Sequence, residues 1–336
     1  MYKLYKILFF NVLIFGTLIT ISSYSWFSMW IGLEINLLSM IPLMKSHNNI
    51  YPAEAALKYF ITQALASTII LFSIILLLNE FECLPTKFNF WYLMILNSGL
   101  MTKLGAAPFH AWFPEVMMGL NWLNNLILMT WQKIAPMILI MYNLQIKFLI
   151  LIIIISSIIS GILGFNQTNL RKLMAYSSIN HISWMLSSML NYKMIWNIYF
   201  MVYCLISISL ILIFYKLNAF TLNQLFISLN NNKLMKMFFI MNFMSLGGIP
   251  PFLGFLPKWL VINNLIYNNF YTLSFLLILF TLIMLFNYIR VTLSTLSILT
   301  QESVIFKMKI NNFNMIFLNM ITLSSLFLCT SIFNFS

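Results

Sequence analysis

Four ionisable side chains lie inside long apolar runs of this chain: Glu34, Lys103, Lys133 and Lys258. A charge placed at the centre of a membrane helix costs about 2.5–3.5 kcal/mol on insertion scales, so residues of this kind usually mark a functional pathway. Removal from water favours the neutral form of an ionisable group, whereas a nearby opposite charge favours the charged form. A buried lysine whose carboxylate partner moves can therefore take up and release a proton. We predict that Glu34 and Lys103 are that pair.

Lys133 and Lys258 are the predicted later stations of the same proton transfer, linked to the first pair by hydrated hydroxyl, amide and imidazole groups. His181 is the candidate imidazole, although a hydrogen-bonded core histidine explains it equally well. Lysines near the ends of helices can also extend their ammonium groups to the membrane surface. That plainer interpretation suits Lys103 and Lys258 better than Lys133 or Glu34. The last two lie midway along their runs, and a carboxylate is too short to reach the headgroups.

The segments KLGAAPFHAWFPE and GIPPFLGFLPK interrupt two apolar runs in the same way. The breaking residues are Gly105, Pro108 and Pro114 in the first segment, and Gly248, Pro250, Pro251 and Pro257 in the second. Proline removes a backbone donor and glycine lets the chain turn, so both segments predict broken helices. Irregular backbone at membrane depth is tolerated where it is buried in protein or lines a wet cavity, and its freed carbonyls can hold water or a lysine cation. Two unrelated proline kinks are the simpler alternative.

The elements that carry these residues follow from composition. Of the 336 residues 62% are hydrophobic and 7% are charged, which predicts an all-α polytopic membrane protein with about 11 transmembrane helices. The predicted runs lie near residues 5–25, 26–44, 55–79, 88–108, 120–142, 146–165, 171–190, 194–216, 234–267, 269–292 and 313–334. The gaps 217–233 and 293–312 are short and polar, so we predict a single transmembrane domain over residues 1–336.

The positions of the two breaks predict internal symmetry. The runs that contain them, the fourth and the ninth, are five spans apart in chain order, and an odd offset means that the second half should be inverted relative to the first. Corresponding breaks in two halves are typical of inverted-repeat transporters. We predict two inverted five-helix repeats, at about residues 5–142 and 146–292, followed by a last helix at about 313–334.

The cations between the runs predict an orientation. Most lie on the side of the N-terminus, and only Lys87, Lys147 and Lys193 fall on the other side. The positive-inside rule then places the N-terminus inside and, for an odd number of spans, the C-terminus outside. A formal net charge of +12 could suggest a nucleic-acid partner, but the lysines form no stripe on a soluble face, so we expect no nucleic acid.

No sequence motif for a redox or nucleotide cofactor is present. Cys83, Cys204 and Cys329 are odd in number and far apart, which predicts neither a disulfide framework nor a metal site. Nothing resembles a Walker loop, a dinucleotide fingerprint, a haem site or a cysteine cluster. We therefore expect no cofactor-binding and no metal-binding residues, and any redox centre should lie on another chain.

Six segments resemble the NADH dehydrogenase subunit 2 family, which belongs to the antiporter-like membrane subunits of respiratory complex I. They are WIGLEINLLSMIP, EAALKYFITQALAS, KLGAAPFHAWFPE, LMTWQKIAP, NQTNLRKLMAYSSINH and SLGGIPPFLGFLPKW. The resemblance extends from roughly residue 16 to residue 290. It implies the antiporter-like fold, and it places the family's functional charges at Glu34, Lys103, Lys133 and Lys258.

The resemblance also implies a function: proton translocation across the mitochondrial inner membrane, driven by electron transfer from NADH to ubiquinone. NADH, FMN, iron–sulfur clusters and ubiquinone would bind elsewhere in the complex. The expected partners are other membrane-arm subunits, accessory subunits and phospholipids such as cardiolipin, with the N-terminus in the matrix and the C-terminus in the intermembrane space. A stand-alone cation/proton antiporter is the main alternative. A structural spacer with unused charges is a third.

Overall fold

The computed structural model describes residues 4–45, 50–80, 88–230, 233–297 and 319–320. The described part of the chain is helical with no strand beyond one isolated bridge, between Asn169 and Thr221. In chain order the helices are α1 (Leu4–Ser22), α2 (Trp26–Met44), α3 (Tyr51–Glu80), α4 (Phe88–Leu104), α5 (Trp112–Gly119), α6 (Trp122–Met129), α7 (Trp131–Tyr142), α8 (Ile146–Gly164), α9 (Leu170–Met189), α10 (Lys193–Leu217), α11 (Leu222–Asn230), α12 (Lys233–Gly247), α13 (Phe255–Tyr267) and α14 (Tyr271–Ser297).

The prediction of an all-α polytopic membrane protein is confirmed. Among the described residues, six helices are long and apolar enough to cross a membrane: α1, α2, α3, α8, α10 and α14. Every predicted run inside the described ranges corresponds to one helix or to two helices separated by a break. The predicted last helix, at about 313–334, lies outside the described residues except for 319–320.

The helix α9 differs from the other long helices because it is polar and buried along nearly its whole length. Its serines donate to carbonyls three residues earlier in the same helix, as Ser178 does to Ala175 (2.8 Å) and Ser183 to Asn180 (2.6 Å). These side chains are thus satisfied without water. A helix of this kind suits the interior of a membrane protein, where protein neighbours surround it on all sides.

Both predicted breaks occur, and they have the same backbone geometry. Helix α4 ends before Gly105 (φ 73°), and α12 ends before Gly248 (φ 78°). In each case the amide after the glycine bonds to a carbonyl five residues back: Ala106 to Met101 at 3.1 Å, and Ile249 to Met244 at 3.4 Å. This is the glycine-terminated Schellman motif, which ends a helix while satisfying its last carbonyls.

Pro114 and Pro257 lie just inside the helices that follow the two breaks, α5 and α13. A proline in the first turn of a helix removes an N–H that has no helical partner there, so these prolines start the second half-helix rather than disrupt it. Pro108, Pro250 and Pro251 lie in the non-helical connections. In each segment, therefore, the glycine ends one helix and the proline in the first turn of the next helix helps to begin it.

Two sequence predictions about the helices were wrong. The run 120–142 is not one helix, because α6 ends and α7 begins at Thr130 (φ −111°, ψ −72°). Pro136, inside α7, lacks the N–H that would donate to the carbonyl of Gln132, so the first turn of α7 has one helical bond fewer. The gap 217–233 is not only a loop, since it contains the short helix α11. Leu225 and Leu229, four residues apart, bury one face of α11, and the surrounding asparagines obscured this pattern.

The chain divides into two compact units, Met1–Ile152 and Ile153–Ser336. The first unit contains α1 to α7, with α3 packed on α4 and α5. The second unit contains α9 to α14, and its core includes an aromatic cluster of Phe214, Phe239, Phe243 and Tyr288 with ring centroids 4.5–6.2 Å apart. Each unit therefore contains one of the two broken helices. The predicted repeat boundaries, 5–142 and 146–292, remain a prediction.

Candidate functional site

The first unit brings Glu34 and Lys103 together. The Nζ atom of Lys103 lies 3.9 Å from Oε1 of Glu34, and their side chains are 4% and 24% exposed. Lys103 is in the last turn of α4, where the carbonyl end of a helix favours a cation. A separation of 3.9 Å is close enough for an ion pair and too long for a hydrogen bond. The two groups therefore form a loose ion pair without a direct hydrogen bond.

A small polar cavity lies beside this pair. Its polar lining residues come from α2, α3, α4 and α7: Asn36, Tyr59, Gln63, Lys103 and Gln132. The Gln63 amide donates to the carbonyl of Lys103 at 3.5 Å, which ties α3 to the end of α4. Polar linings of this kind are where ordered water is found inside proteins. The buried end of Lys103 is thus next to groups that can hydrogen-bond a water molecule.

Lys133 is fully buried in the same unit, in the first turn of α7. Its Nζ lies 5.8 Å from the centroid of the Phe113 ring, within the range of a cation–π contact. Phe113 belongs to α5, and a Cβ at Gly105 would lie 3.2 Å from the Phe113 Cβ. The same phenylalanine therefore packs against the first break and faces Lys133. The break-bearing segment is the structural link between Lys103 and Lys133.

Lys258 lies in the first turn of α13 in the second unit and is 8% exposed. Its ammonium donates to the carbonyl oxygens of Gly247 (2.8 Å) and Leu246 (3.3 Å), at the end of α12. It also lies 5.8 Å from the centroid of the Trp184 ring. The described residues of this unit include no Asp or Glu. Backbone carbonyls freed by the break hold this cation, in the way that the two prolines and the glycine suggested.

His181 is buried on α9, and its Nδ1 lies 2.9 Å from the hydroxyl of Tyr199 on α10. Its ring centroid is 5.0 Å from that of Tyr203. Trp184, three residues later on α9, carries the ring that faces Lys258. This geometry agrees with both interpretations of His181. The Tyr199 hydroxyl can hold it in place as a core histidine, or it can exchange a proton with it as a proton-carrying group.

The two breaks differ in the charge that follows them. Lys258, after Pro257, turns into the break, but its counterpart Glu115, after Pro114, is exposed and pairs with Lys58 at 2.9 Å. Lys58 also contacts Glu54 at 3.1 Å. This exposed cluster ties α5 to α3 without entering the buried site. The two segments match in sequence, but Glu115 and Lys258 have different roles: one forms a surface ion pair and the other binds inside the break.

Sequence reasoning missed the carboxamides of the first unit. Asn36 follows Glu34 by two residues, and Gln132 immediately precedes Lys133. Each is a polar residue inside an apolar run next to a predicted site residue, and this was the available signal. In the described part of the chain, no group of three or more His, Cys, Asp and Glu side chains could hold a metal ion. Cys83 and Cys329 lie outside the described residues.

A helical membrane chain with two glycine-ended breaks and a buried lysine at each has the architecture of an antiporter-like subunit. The model of the NADH:quinone oxidoreductase/Mrp antiporter transmembrane family matches residues 23–285. NADH-ubiquinone oxidoreductase chain 2 of Anopheles gambiae is 49% identical over 315 residues, which cover 94% of this chain and 92% of the relative. The same protein of Aedes aegypti is 50% identical over 295 residues, covering 88% and 86%.

Solved structures show the same fold. A chain of respiratory complex I from Thermus thermophilus with bound aureothin has a TM-score of 0.87 at 22% identity, covering 97% of this chain and 78% of that one. A chain of the Mrp complex from Dietzia sp. has a TM-score of 0.75 at 13% identity, covering 95% and 74%. The chain therefore belongs to the NADH:quinone oxidoreductase/Mrp antiporter transmembrane family and, within it, to the NADH-ubiquinone oxidoreductase chain 2 group.

Proposed function

We propose that this chain is a core membrane-arm subunit of respiratory complex I. In this role it contributes to proton translocation driven by electron transfer from NADH to ubiquinone. The observation that carries the proposal is the pairing of the half-buried Glu34 with the buried Lys103 beside a polar cavity, in a chain whose relatives are named NADH-ubiquinone oxidoreductase chain 2. The chain supplies ionisable groups in a dry interior, and other subunits supply the redox chemistry.

The Glu34–Lys103 pair is the switch in this mechanism. At an effective dielectric of about 20, unit charges at the observed 3.9 Å attract by about 4 kcal/mol, and opening to about 8 Å halves this. Moving one proton against 100 mV requires about 2.3 kcal/mol. Opening the pair therefore changes the energy of Lys103 by an amount comparable to the work of moving one proton. Electron transfer elsewhere in the complex drives the opening.

Lys133 and Lys258 are the later stations of the proton in this proposal. Lys133 faces Phe113 on the segment that follows Lys103, so a change in the first break reaches it through direct packing. Lys258 is held by carbonyls and an aromatic ring, which stabilise its cation without a fixed negative charge. His181, hydrogen-bonded to Tyr199, is the further candidate on this route.

The proposed setting is the mitochondrial inner membrane. The N-terminus lies in the matrix and the C-terminus in the intermembrane space, an orientation supported by the distribution of Lys and Arg between the runs. Partners are other membrane-arm and accessory subunits, together with phospholipids, cardiolipin among them. This chain binds no NADH, FMN, iron–sulfur cluster or ubiquinone, and residues 5–142 and 146–292 form two inverted repeats.

A stand-alone cation/proton antiporter is the second candidate, because the family whose model matches this chain includes Mrp antiporters as well as NADH:quinone oxidoreductases. The two candidates differ in the assembly that contains the chain. Native membranes are solubilised gently and separated on a native gel, the gel is stained for NADH oxidation, and the chain is identified by mass spectrometry. Recovery in a large band that oxidises NADH supports the complex I subunit. Recovery only as a small species without NADH activity supports the antiporter.

The role of the buried charges is tested separately with Lys133→Ala and Glu34→Gln in the assembled complex. Each variant should lower the number of protons translocated per NADH oxidised, while Glu54→Gln, on the exposed cluster, should leave it unchanged. Proton translocation is followed with a pH-sensitive dye in sealed vesicles. An unchanged ratio in both buried-charge variants would refute the proton-transfer role and support a structural spacer.

A further inference from the structure

The contact between Gln132 and Asn36 connects two helices that carry proposed site residues. The Nε2 of Gln132 donates to Oδ1 of Asn36 at 2.7 Å. Asn36 is 3% exposed and lies two residues after Glu34 on α2. Gln132 immediately precedes Lys133 in the first turn of α7. One short hydrogen bond therefore joins the helix of Glu34 to the turn that carries Lys133.

The first turn of α7 needs an external contact of this kind. The helix is interrupted at Thr130, so α7 is not continued from α6. Pro136 has no N–H to donate to the carbonyl of Gln132, which removes one of the bonds that would fix this turn from within. The position of Lys133 thus depends on contacts from neighbouring helices more than it would in the middle of a regular helix.

The other end of the Gln132 amide faces the polar cavity. The hydroxyl of Tyr59 on α3 approaches Oε1 of Gln132 at 3.5 Å, and the cavity that Gln132 and Tyr59 line is also lined by Lys103. The carboxamide therefore lies between the Lys103 side and the Lys133 side of the first unit. An amide is not an efficient proton carrier, because it does not titrate near neutral pH. Gln132 must therefore contribute to proton transfer by holding neighbouring residues in position.

We propose that Gln132 is a positioning residue for proton transfer: its bond to Asn36 transmits movement of α2 to the first turn of α7. Opening or closing of the Glu34–Lys103 pair then changes the surroundings of Lys133. This inference rests on the proposed function of those three charges and adds a named link between them. Hydrogen bonds between membrane helices contribute little to stability individually. A merely structural amide would therefore leave proton translocation intact.

The test uses variants of the chain assembled into the complete NADH-oxidising complex, in cells that lack the unaltered chain. Gln132→Leu removes the amide at similar volume, Asn36→Leu removes its acceptor, and a double variant combines them. A swapped variant, Asn36→Gln with Gln132→Asn, keeps the combined length of the two side chains and can restore the bond. Gln167→Leu is the matched control, because Gln167 is a glutamine away from the cavity that bonds only within its own chain segment, to Leu163.

The readout is protons translocated per NADH oxidised, normalised to the amount of assembled complex on a native gel. We expect each single variant to lose at least half of what Lys133→Ala loses. The double variant should lose no more than the larger single loss, as required of two residues that act through one contact. The swapped variant should recover most of the ratio. If a leucine variant does not assemble, the alanine variant at the same position, Gln132→Ala or Asn36→Ala, replaces it.

The outcomes separate this inference from the proposed function. A normal ratio for Gln132→Leu, together with a lowered ratio for Lys133→Ala, overturns the positioning role and leaves the proposed function standing. A normal ratio for Lys133→Ala removes Lys133 from the proton path and overturns this inference with it, and normal ratios for both Lys133→Ala and Glu34→Gln overturn the proposed function itself. Losses that add in the double variant, or a swapped variant that recovers nothing, also overturn the inference, because they show that the two residues do not act through their mutual bond.

Discussion

Gly248→Ala should displace Lys258 from the carbonyls that hold it. A Cβ at Gly248 would lie 2.8 Å from Cδ and 2.9 Å from Nζ of Lys258, which is closer than real contacts of this kind. The backbone there has φ 78°, a left-handed conformation in which a residue with a Cβ costs about 1–2 kcal/mol. Both effects act at the one point where α12 ends and the ammonium binds.

The two effects have different magnitudes and different readouts. The backbone strain lowers the stability of the chain and should reduce the amount of assembled complex. Displacing the ammonium forfeits the 2.8 Å bond to Gly247, and hydrogen bonds to charged groups contribute about 1.5–3 kcal/mol. Since about 1.4 kcal/mol is a factor of ten in an equilibrium constant, the Lys258 ammonium should occupy this carbonyl site about ten-fold or more less often. That second effect should lower the protons translocated per NADH oxidised.

The assay measures both quantities on the same membranes. Assembled complex is quantified on a native gel, and the translocation ratio is measured with a pH-sensitive dye at matched rates of NADH oxidation. Gly247→Ala is the matched control one residue away. Its new Cβ meets Tyr288 at an ordinary 3.5 Å, and its φ is not positive, so both quantities should stay near normal. If Gly248→Ala complexes translocate as many protons per NADH as the unaltered complex, the binding of Lys258 by the carbonyls of Leu246 and Gly247 has no role in proton transfer.

Two further substitutions have clear expectations. Lys58→Met breaks the exposed contacts with Glu54 and Glu115. Because water and salt screen exposed ion pairs, the amount of complex and the translocation ratio should change little, and a large loss of either would contradict the surface role. Tyr199→Phe removes the hydroxyl that lies 2.9 Å from His181. It should lower the translocation ratio, while the amount of complex on the native gel stays near normal. An unchanged ratio would leave His181 as a hydrogen-bonded core histidine.

The helical architecture was largely predictable, because it follows from local chemistry. A run of apolar residues in a membrane must form a helix to satisfy its backbone, and glycine and proline end helices wherever they occur together. The breaks at Gly105 and Gly248 follow from these rules, and so does the carbonyl binding of Lys258. The interruption at Thr130 was missed because no glycine or proline lies at that point: Pro136 is six residues further on and lies inside α7, as Pro42 lies inside α2.

The sequence alone determined which residues are costly to bury, and it therefore identified Glu34, Lys103, Lys133 and Lys258 as candidates. It proposed Glu34 and Lys103 as a pair, but it could not give the distance between them, because that depends on the rotation and depth of helices far apart in the chain. Only the tertiary structure placed Lys103 at 3.9 Å from Glu34 and left Glu115 on the surface. The bond between Gln132 and Asn36 also needed the structure. An amide has no preferred partner until packing removes the water that would otherwise satisfy it.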